Sequence, residues 1–437
     1  MGQTTTFKIP DITPELARGT KWLKEKRAES SDRFNRTPLP PRGLHLWRYT
    51  DPSRFLFEQI GAPGTSFGNN YATVEKIEQG HLARGKLAGL VTDLGGRTIT
   101  TYGLDALTRK GVIVMPLAEA VESKRDLVEK YFYQLINGSM GKFEAMNGAL
   151  WSDGIFIYVP DGMIVDKPIH LLRESSLGGS VQFPRLLAIV GERAELTLID
   201  EYGGGSTSEA EGISHTNSAV EIFGLAESQV RYVSIQRQAP MMRSYLTHRA
   251  RIERGATMLT IPLAFGASLS KQNFGVIMNG EGAESKMYGL LFGSEYQQFD
   301  NHTLHHHASG RTHSNINVKV VLRDKAISAY TGLIRIDHNA EVCEAYQENR
   351  NLLLNPGTRA ESIPELEILN EEVMCTHGAT VGAIDPLELF YLQSRGIEKP
   401  EAVRMVVSGF VSSTLAQVPE DLRERVGDFV AQRLEGI

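Results

Sequence analysis

The chain is poor in cysteine: two in 437 residues, Cys343 and Cys375. Two thiols cannot staple a fold of this length, which excludes a disulfide framework and points to a reducing compartment. Basic charge is also short. Lys and Arg number 46 against 52 Asp and Glu, a formal net charge of −6, whereas a nucleic-acid protein wants a basic face. No apolar run approaches the ~20 residues that a membrane helix needs. The start, MGQTTTFKIPDITPE, has neither the basic nor the apolar stretch of a secretion signal. Gly2 and Thr6 fit the short myristoylation pattern, but nothing polybasic stands beside them to support an anchor. There is no G-x-S-x-G elbow, and Gly141-Lys142 is no phosphate loop, since Ile136 stands where its first glycine belongs. We therefore expect a cytoplasmic protein with no nucleic-acid partner, no membrane partner and no ATP bound by this chain.

What is present is ordinary for a globular protein of two or three units: 41% hydrophobic and 22% charged residues. Residues 1–150 read as a mostly helical N-terminal domain. Thr13-Pro14-Glu15 offers a cap and a helix-start proline, Leu16, Trp22 and Leu23 an apolar stripe, and residues 115–135 a second helical stretch. TPLPPRG, residues 37–43, breaks the pattern. From Trp151 the texture changes to short alternating runs such as IFIYV, LTLID and VRYVSI, which are strand signals. Similar corners join them, around Ala194, Ala226, Ala256, Ala283 and Ala340, with a loose period near 30. A small residue at each corner and a fixed period predict a β-solenoid over residues 151–384. A β-sandwich is the rival, and Asn279-Gly280 is its one hairpin signal. GGGSTSEAEG, residues 203–212, reads as a flexible polar excursion. Residues 385–437 read as three capped amphipathic helices, starting at Asp385-Pro386, Pro400 and Pro419. They are too small for a core of their own and must pack on the solenoid or on a partner.

Two constellations carry metal-binding side chains. DNHTLHHHASGRTH, residues 300–313, holds five of the twelve histidines. On a strand, His305 and His307 share one face, with His302 and His306 on the other. One reading is a metal-dependent β-helix enzyme built on His302–His313. The reading we favour is a polar outer face whose histidines bond to their neighbours, because no carboxylate motif of a metal site accompanies them. In the second, Cys375-Thr376-His377, a thiol and an imidazole at i, i+2 face the same way. That pair is a half metal site, a nucleophile with its base, or two packed side chains; Cys343, 32 residues earlier, stacks about one period away.

CTHGATVGAIDPLELFYLQSRGI, residues 375–397, resembles the C-terminal signature of SufD-type chains in the SufB/SufD family of iron–sulphur cluster assembly scaffolds. DNHTLHHHASGRTHSNINVKVVLRDKAISAYTGLIRI, AEVCEAYQENRNLLL, PELEI and LWRYTD are similar to further family segments. The resemblance implies a mainly β chain: a right-handed parallel β-helix core flanked by N-terminal and C-terminal helical regions. It implies a non-catalytic scaffold subunit that pairs with a SufB-like scaffold subunit and a SufC-like ABC ATPase. The ATPase docks on the C-terminal helices, for which Phe390, Tyr391, Arg395, Gly396 and Phe410 are the candidate contacts. It implies a transient iron–sulphur cluster shared with the partner chain, with His377 as the assembly residue and shared ligand, and Cys375 beside it. Pairing with a second copy, a homodimer, is the alternative assembly. A half site is what a shared interface would leave on one chain.

Overall fold

The computed structural model describes residues 19–56, 70–95 and 98–435. The alternating runs form strands that stack in parallel register, each coil giving one strand to each of two ten-stranded sheets. The result is a parallel β-solenoid of about eight turns between N-terminal and C-terminal helices. Side chains at every second position point inward. Ile252, Met278, His307, Ile336 and Ile368 thus form one continuous column through successive rungs. The interior is largely aliphatic and aromatic, with Leu198, Tyr232, Leu246, Phe274 and Met287 buried within it.

Corners follow the expected chemistry with one shift. A residue at positive φ turns the chain, and a small buried residue follows it: Arg193 then Ala194, Gly255 then Ala256, Gly282 then Ala283. At the second corner Glu227 turns and Ser228 is buried, so Ala226 is not the corner residue. At the last, Val342 and Cys343 take those places, and Ala340 is buried just before them. Asn279-Gly280 belongs to a corner, not a hairpin; a Cβ on Gly280 would lie 2.0 Å from the Arg254 nitrogen of the coil beneath. Gly203, Gly205 and Ser206 are packed inside the fold, so the polar excursion shrinks to the exposed residues that follow.

Among the described residues before Trp151, strands accompany the helices. Strands Gly89–Leu94, Thr98–Tyr102 and Ile113–Pro116 extend the two sheets, and Gly89–Leu94 pairs in parallel with Ile169–Ser175. The solenoid therefore begins before residue 151. Residues 115–135 form two short helices, Leu117–Ser123 and Arg125–Tyr131, broken at Lys124. The Thr13-Pro14-Glu15 cap lies outside the described residues; the first described helix, Lys21–Arg36, is capped by Thr20 instead. LWRYTD lies across one sheet. Trp47 stacks on Tyr245 with ring centroids 5.8 Å apart, and Lys271 donates to the Leu46 carbonyl at 2.5 Å.

The tail is not a free appendage. Helices Lys399–Leu415 and Glu420–Arg433 lay Val403, Val407, Val411, Leu422, Val426 and Val430 on Ile235, Ile261, Leu263, Phe292 and Val321 of one sheet. Each such side chain, fully buried, contributes about 1.5–3 kcal/mol. The ends are also latched by charge. Arg425 of the last helix bridges Glu78 of helix Asn70–Ala83 and Glu201 of the solenoid. His170, fully buried, contacts both carboxylates at 2.9 and 3.1 Å.

Candidate functional site

The solenoid's C-terminal end is open. Strand Arg359–Ile368 is the last of one sheet and Val373–Ala383 the last of the other. Neither buries a residue fully, in contrast to the strands beneath them. Their outer edges carry backbone donors and acceptors with no further rung to pair with among the described residues. Exposed apolar side chains gather here as well: Leu366, Ile368, Leu369, Met374 and Val381.

Cys375 and His377 sit on this last rung. Their register partners are Ala345 and Gln347, and Gln347 is fully buried in the interior. The two side chains therefore point along the solenoid's inner face, which the missing next rung leaves uncovered. His377 is exposed and Cys375 half-buried. Cys375 packs with Val373, Ile334, Ile336 and Cys343. Burial and the nearby Cys343 push its thiol up, so it rests protonated at neutral pH. Cys343 is fully enclosed, 3.2 Å from Thr312 Oγ1 and 3.4 Å from the Ala340 carbonyl. It is a packed corner residue. A neutral thiol beside an exposed imidazole is a poor independent metal site. Among the described residues no group of three or more His, Cys, Asp or Glu is arranged to hold a metal ion.

The histidine-rich strand departs from the expected outer face. His305 and His307 point inward and are wholly buried. His307 is held by Thr312 Oγ1 at 2.7 Å and Ser314 Oγ at 2.9 Å. Burial lowers His305 to about 3 and His307 to about 4. The opposite face carries His302, bonded to Asp300 at 2.8 Å beneath the LWRYTD segment, and His306, bonded to Asp337 at 2.8 Å. His313 is exposed on the next strand. Strand alternation splits the set between two faces, so it does not converge on one ion.

The candidate docking residues divide. Asp385 caps helix Pro386–Ser394 by accepting from the Leu387 nitrogen at 2.8 Å. The helix buries none of its residues. Leu387, Phe390 and Tyr391 are 74%, 68% and 57% exposed. Arg395 lies over the Tyr391 ring, and Gly396 ends the helix at positive φ. Phe410 is elsewhere: it packs toward the solenoid, where Lys319 lies over its ring. Leu387 was missed by sequence reasoning, since it reads as one more core leucine until the helix is seen to have no core to enter. Gln347 was missed too, although the period near 30 that links corners also links it to His377.

A model of the SufBD core domain of the SUF iron–sulphur cluster assembly system matches residues 172–410, and one of the SufBD N-terminal region matches residues 16–171. The chain belongs to the SufB/SufD family. Relatives agree over nearly the whole length. An iron–sulfur cluster assembly SufBD family protein of Staphylococcus saprophyticus is 26% identical over 428 residues, covering 95% of this chain and 90% of its own. The iron–sulfur cluster assembly protein SufB of Bacillus subtilis is 26% identical over 454 residues, covering 99% and 93%. Membership makes this chain a component of iron–sulphur cluster assembly. No described helix is long and apolar enough to cross a membrane.

Proposed function

We propose that this chain is a SufD-type, non-catalytic scaffold subunit that builds nascent iron–sulphur clusters at its open solenoid end. A SufB-like chain pairs across that end and completes the site to which this chain contributes His377 and, secondarily, Cys375. A SufC-like ABC ATPase docks on helix Pro386–Ser394 and drives the assembly; this chain binds no ATP itself and works in the cytoplasm. The observation that carries the reading is the inward-facing Cys375-x-His377 pair on an unfinished last rung. Edge strands with unpaired backbone and apolar side chains recruit another chain. A half site on such an edge becomes whole only when the partner arrives. The SufD side rests on the likeness of residues 375–397, His377 among them, to the SufD-type signature. The enzyme reading is disfavoured by the division of His302, His305, His306 and His307 between two faces. A homodimer would use the same edge, and the mass of the co-expressed complex separates the two assemblies.

The test is His377→Ala in the co-purified complex. A neutral imidazole ligates iron or takes a proton from a nearby thiol. Its loss from an exposed site costs little stability. Cluster content, read as iron and sulphide, should fall about tenfold while gel filtration shows an intact complex. Cys375→Ala should be milder, because its thiol is protonated and packed. Normal cluster content in His377→Ala would remove this site from the mechanism.

A further inference from the structure

Gln347 lies one rung beneath His377, in register with it and on the same inner face. It is wholly buried, and its surroundings are built around its amide. Gly332 supplies the room: a Cβ there would stand 2.4 Å from Gln347 Nε2 and 2.5 Å from the Tyr330 hydroxyl. Tyr330 is itself anchored to Thr303 Oγ1 at 2.8 Å. The Gly332 carbonyl accepts from Nε2 at 3.1 Å. A carbonyl can only accept, so this bond fixes which end of the amide is nitrogen. The oxygen, Oε1, is then committed to the other side, where it is buried and has no hydrogen-bond partner among the described residues. A buried acceptor without a donor is costly, so a site that keeps one is poised for a donor to arrive. The neighbouring inward side chain on the last rung that can donate is the His377 imidazole.

We infer that Gln347 is the positioning residue for His377, its Oε1 accepting one ring N–H so that the other ring nitrogen faces out of the open end. The bond holds the imidazole in a single tautomer and orientation as the partner closes over it. A histidine that ligates a metal commonly has its second nitrogen held in this way. The inference rests on the assembly role proposed for His377 and adds the group that aims it.

The experiment is a double-mutant cycle on the co-purified complex, read as cluster iron and sulphide. The variants are Gln347→Met, Gln347→Glu, His377→Ala and the double Gln347→Met/His377→Ala. Gln347→Met keeps length and bulk but removes the acceptor, and should lower cluster content about tenfold, the usual cost of losing such an orienting partner. Gln347→Glu, neutral in this buried site, donates its O–H to the Gly332 carbonyl and keeps the other oxygen as acceptor, so it should lose less cluster than Gln347→Met. The double variant should match His377→Ala alone, since a group that acts through His377 has nothing left to aim. Should Gln347→Met fail to fold, Gln347→Asn replaces it, withdrawing the oxygen by one methylene. A further loss in the double variant equal to that of Gln347→Met alone would show a merely structural role and overturn the inference, as would normal cluster content in folded Gln347→Met. His377→Ala at wild-type content sinks the assembly-site reading itself, whereas a full His377→Ala loss with additive Gln347 effects sinks only the positioning role.

Discussion

Replacing His305 with leucine should make the protein less sensitive to acid. His305 lies between Val276 and Ile334 in an interior column, fully buried. Its Nε2 is 3.2 Å from Ser285 Oγ, and its Nδ1 has no partner among the described residues. Burial holds it neutral down to about 3 and holds His307 down to about 4. In the unfolded chain each would titrate near about 6.5. Between those values the unfolded state binds a proton that the folded state refuses, so stability falls as pH falls. At about pH 5 each histidine withdraws about 2 kcal/mol relative to neutral pH, and the two together about 4. Total stabilities run about 5–15 kcal/mol, so the loss is large. His305→Leu removes one of the two titrations and replaces a half-satisfied ring with an apolar side chain in an aliphatic column. At about pH 7.5 it should cost under about 1.5 kcal/mol. The loss on moving to about pH 5 should shrink by about 2 kcal/mol. Urea unfolding followed by far-UV circular dichroism at both pH values measures each quantity. Equal acid sensitivity in wild type and folded His305→Leu would refute a buried, neutral imidazole at this position.

Arg425→Gln leaves Glu78 and Glu201 buried with one cation fewer, and should cost about 3 kcal/mol. Hydrogen exchange should rise together in helices Asn70–Ala83 and Glu420–Arg433; a rise in one alone would break the latch argument. Iodoacetamide should label Cys375 slowly at neutral pH and faster as pH rises past its elevated pKa, while enclosed Cys343 stays unlabelled until the chain unfolds; rapid labelling of Cys375 at neutral pH would mean an activated thiolate. Leu387, Phe390 and Tyr391 changed together to serine should abolish binding of the ABC ATPase with melting unchanged, because all three face solvent. Deleting residues 386–437 should instead unfold the core, since it strips the cover from Ile235, Ile261, Leu263 and Phe292; a β-rich circular dichroism spectrum with cooperative melting after that deletion would count against this packing.

Much of the fold was legible because a solenoid repeats its local rules. Alternation gave the strands, and small residues after a turn gave the corners. Reading failed where the rule was the backbone's and not the side chain's. At Glu227-Ser228 the residue at positive φ decides the corner, and nothing in the letters GLAESQ marks it over Ala226. Gly89–Leu94 is one of three short strands set among helical segments, and its parallel partner, Ile169–Ser175, makes it part of the coil. The histidines were misplaced for a related reason. Alternation correctly paired His305 with His307 but could not say which face was inside. Polarity suggested the outside. Thr312, Ser314 and Ser285 make the inside habitable by meeting ring nitrogens there. The tail had two covers open to it, the solenoid or a partner: the apolar stripes of residues 403–411 and 422–430 cover the solenoid, and helix Pro386–Ser394 is left exposed.

That division bears on how one chain could serve the two partners proposed for it. The C-terminal helices are bound to the core by burial of valines and by the Arg425 latch, so a subunit docked on Leu387, Phe390 and Tyr391, as proposed, would pull on the solenoid and not on a loose tail. Helix Pro386–Ser394 follows strand Val373–Ala383 after Ile384 and Asp385. That exposed helix and the strand carrying His377 are thus nearly continuous. A partner that shifts the helix shifts the end of the open rung, whose outer edge has no neighbouring rung among the described residues to resist it. Gln347 is anchored differently, by the Gly332 carbonyl of the facing sheet. Motion of the last rung would therefore change the distance between His377 and a fixed acceptor. If a partner docks on helix Pro386–Ser394 as proposed, its motion would reach the imidazole at the open edge through the strand that carries it.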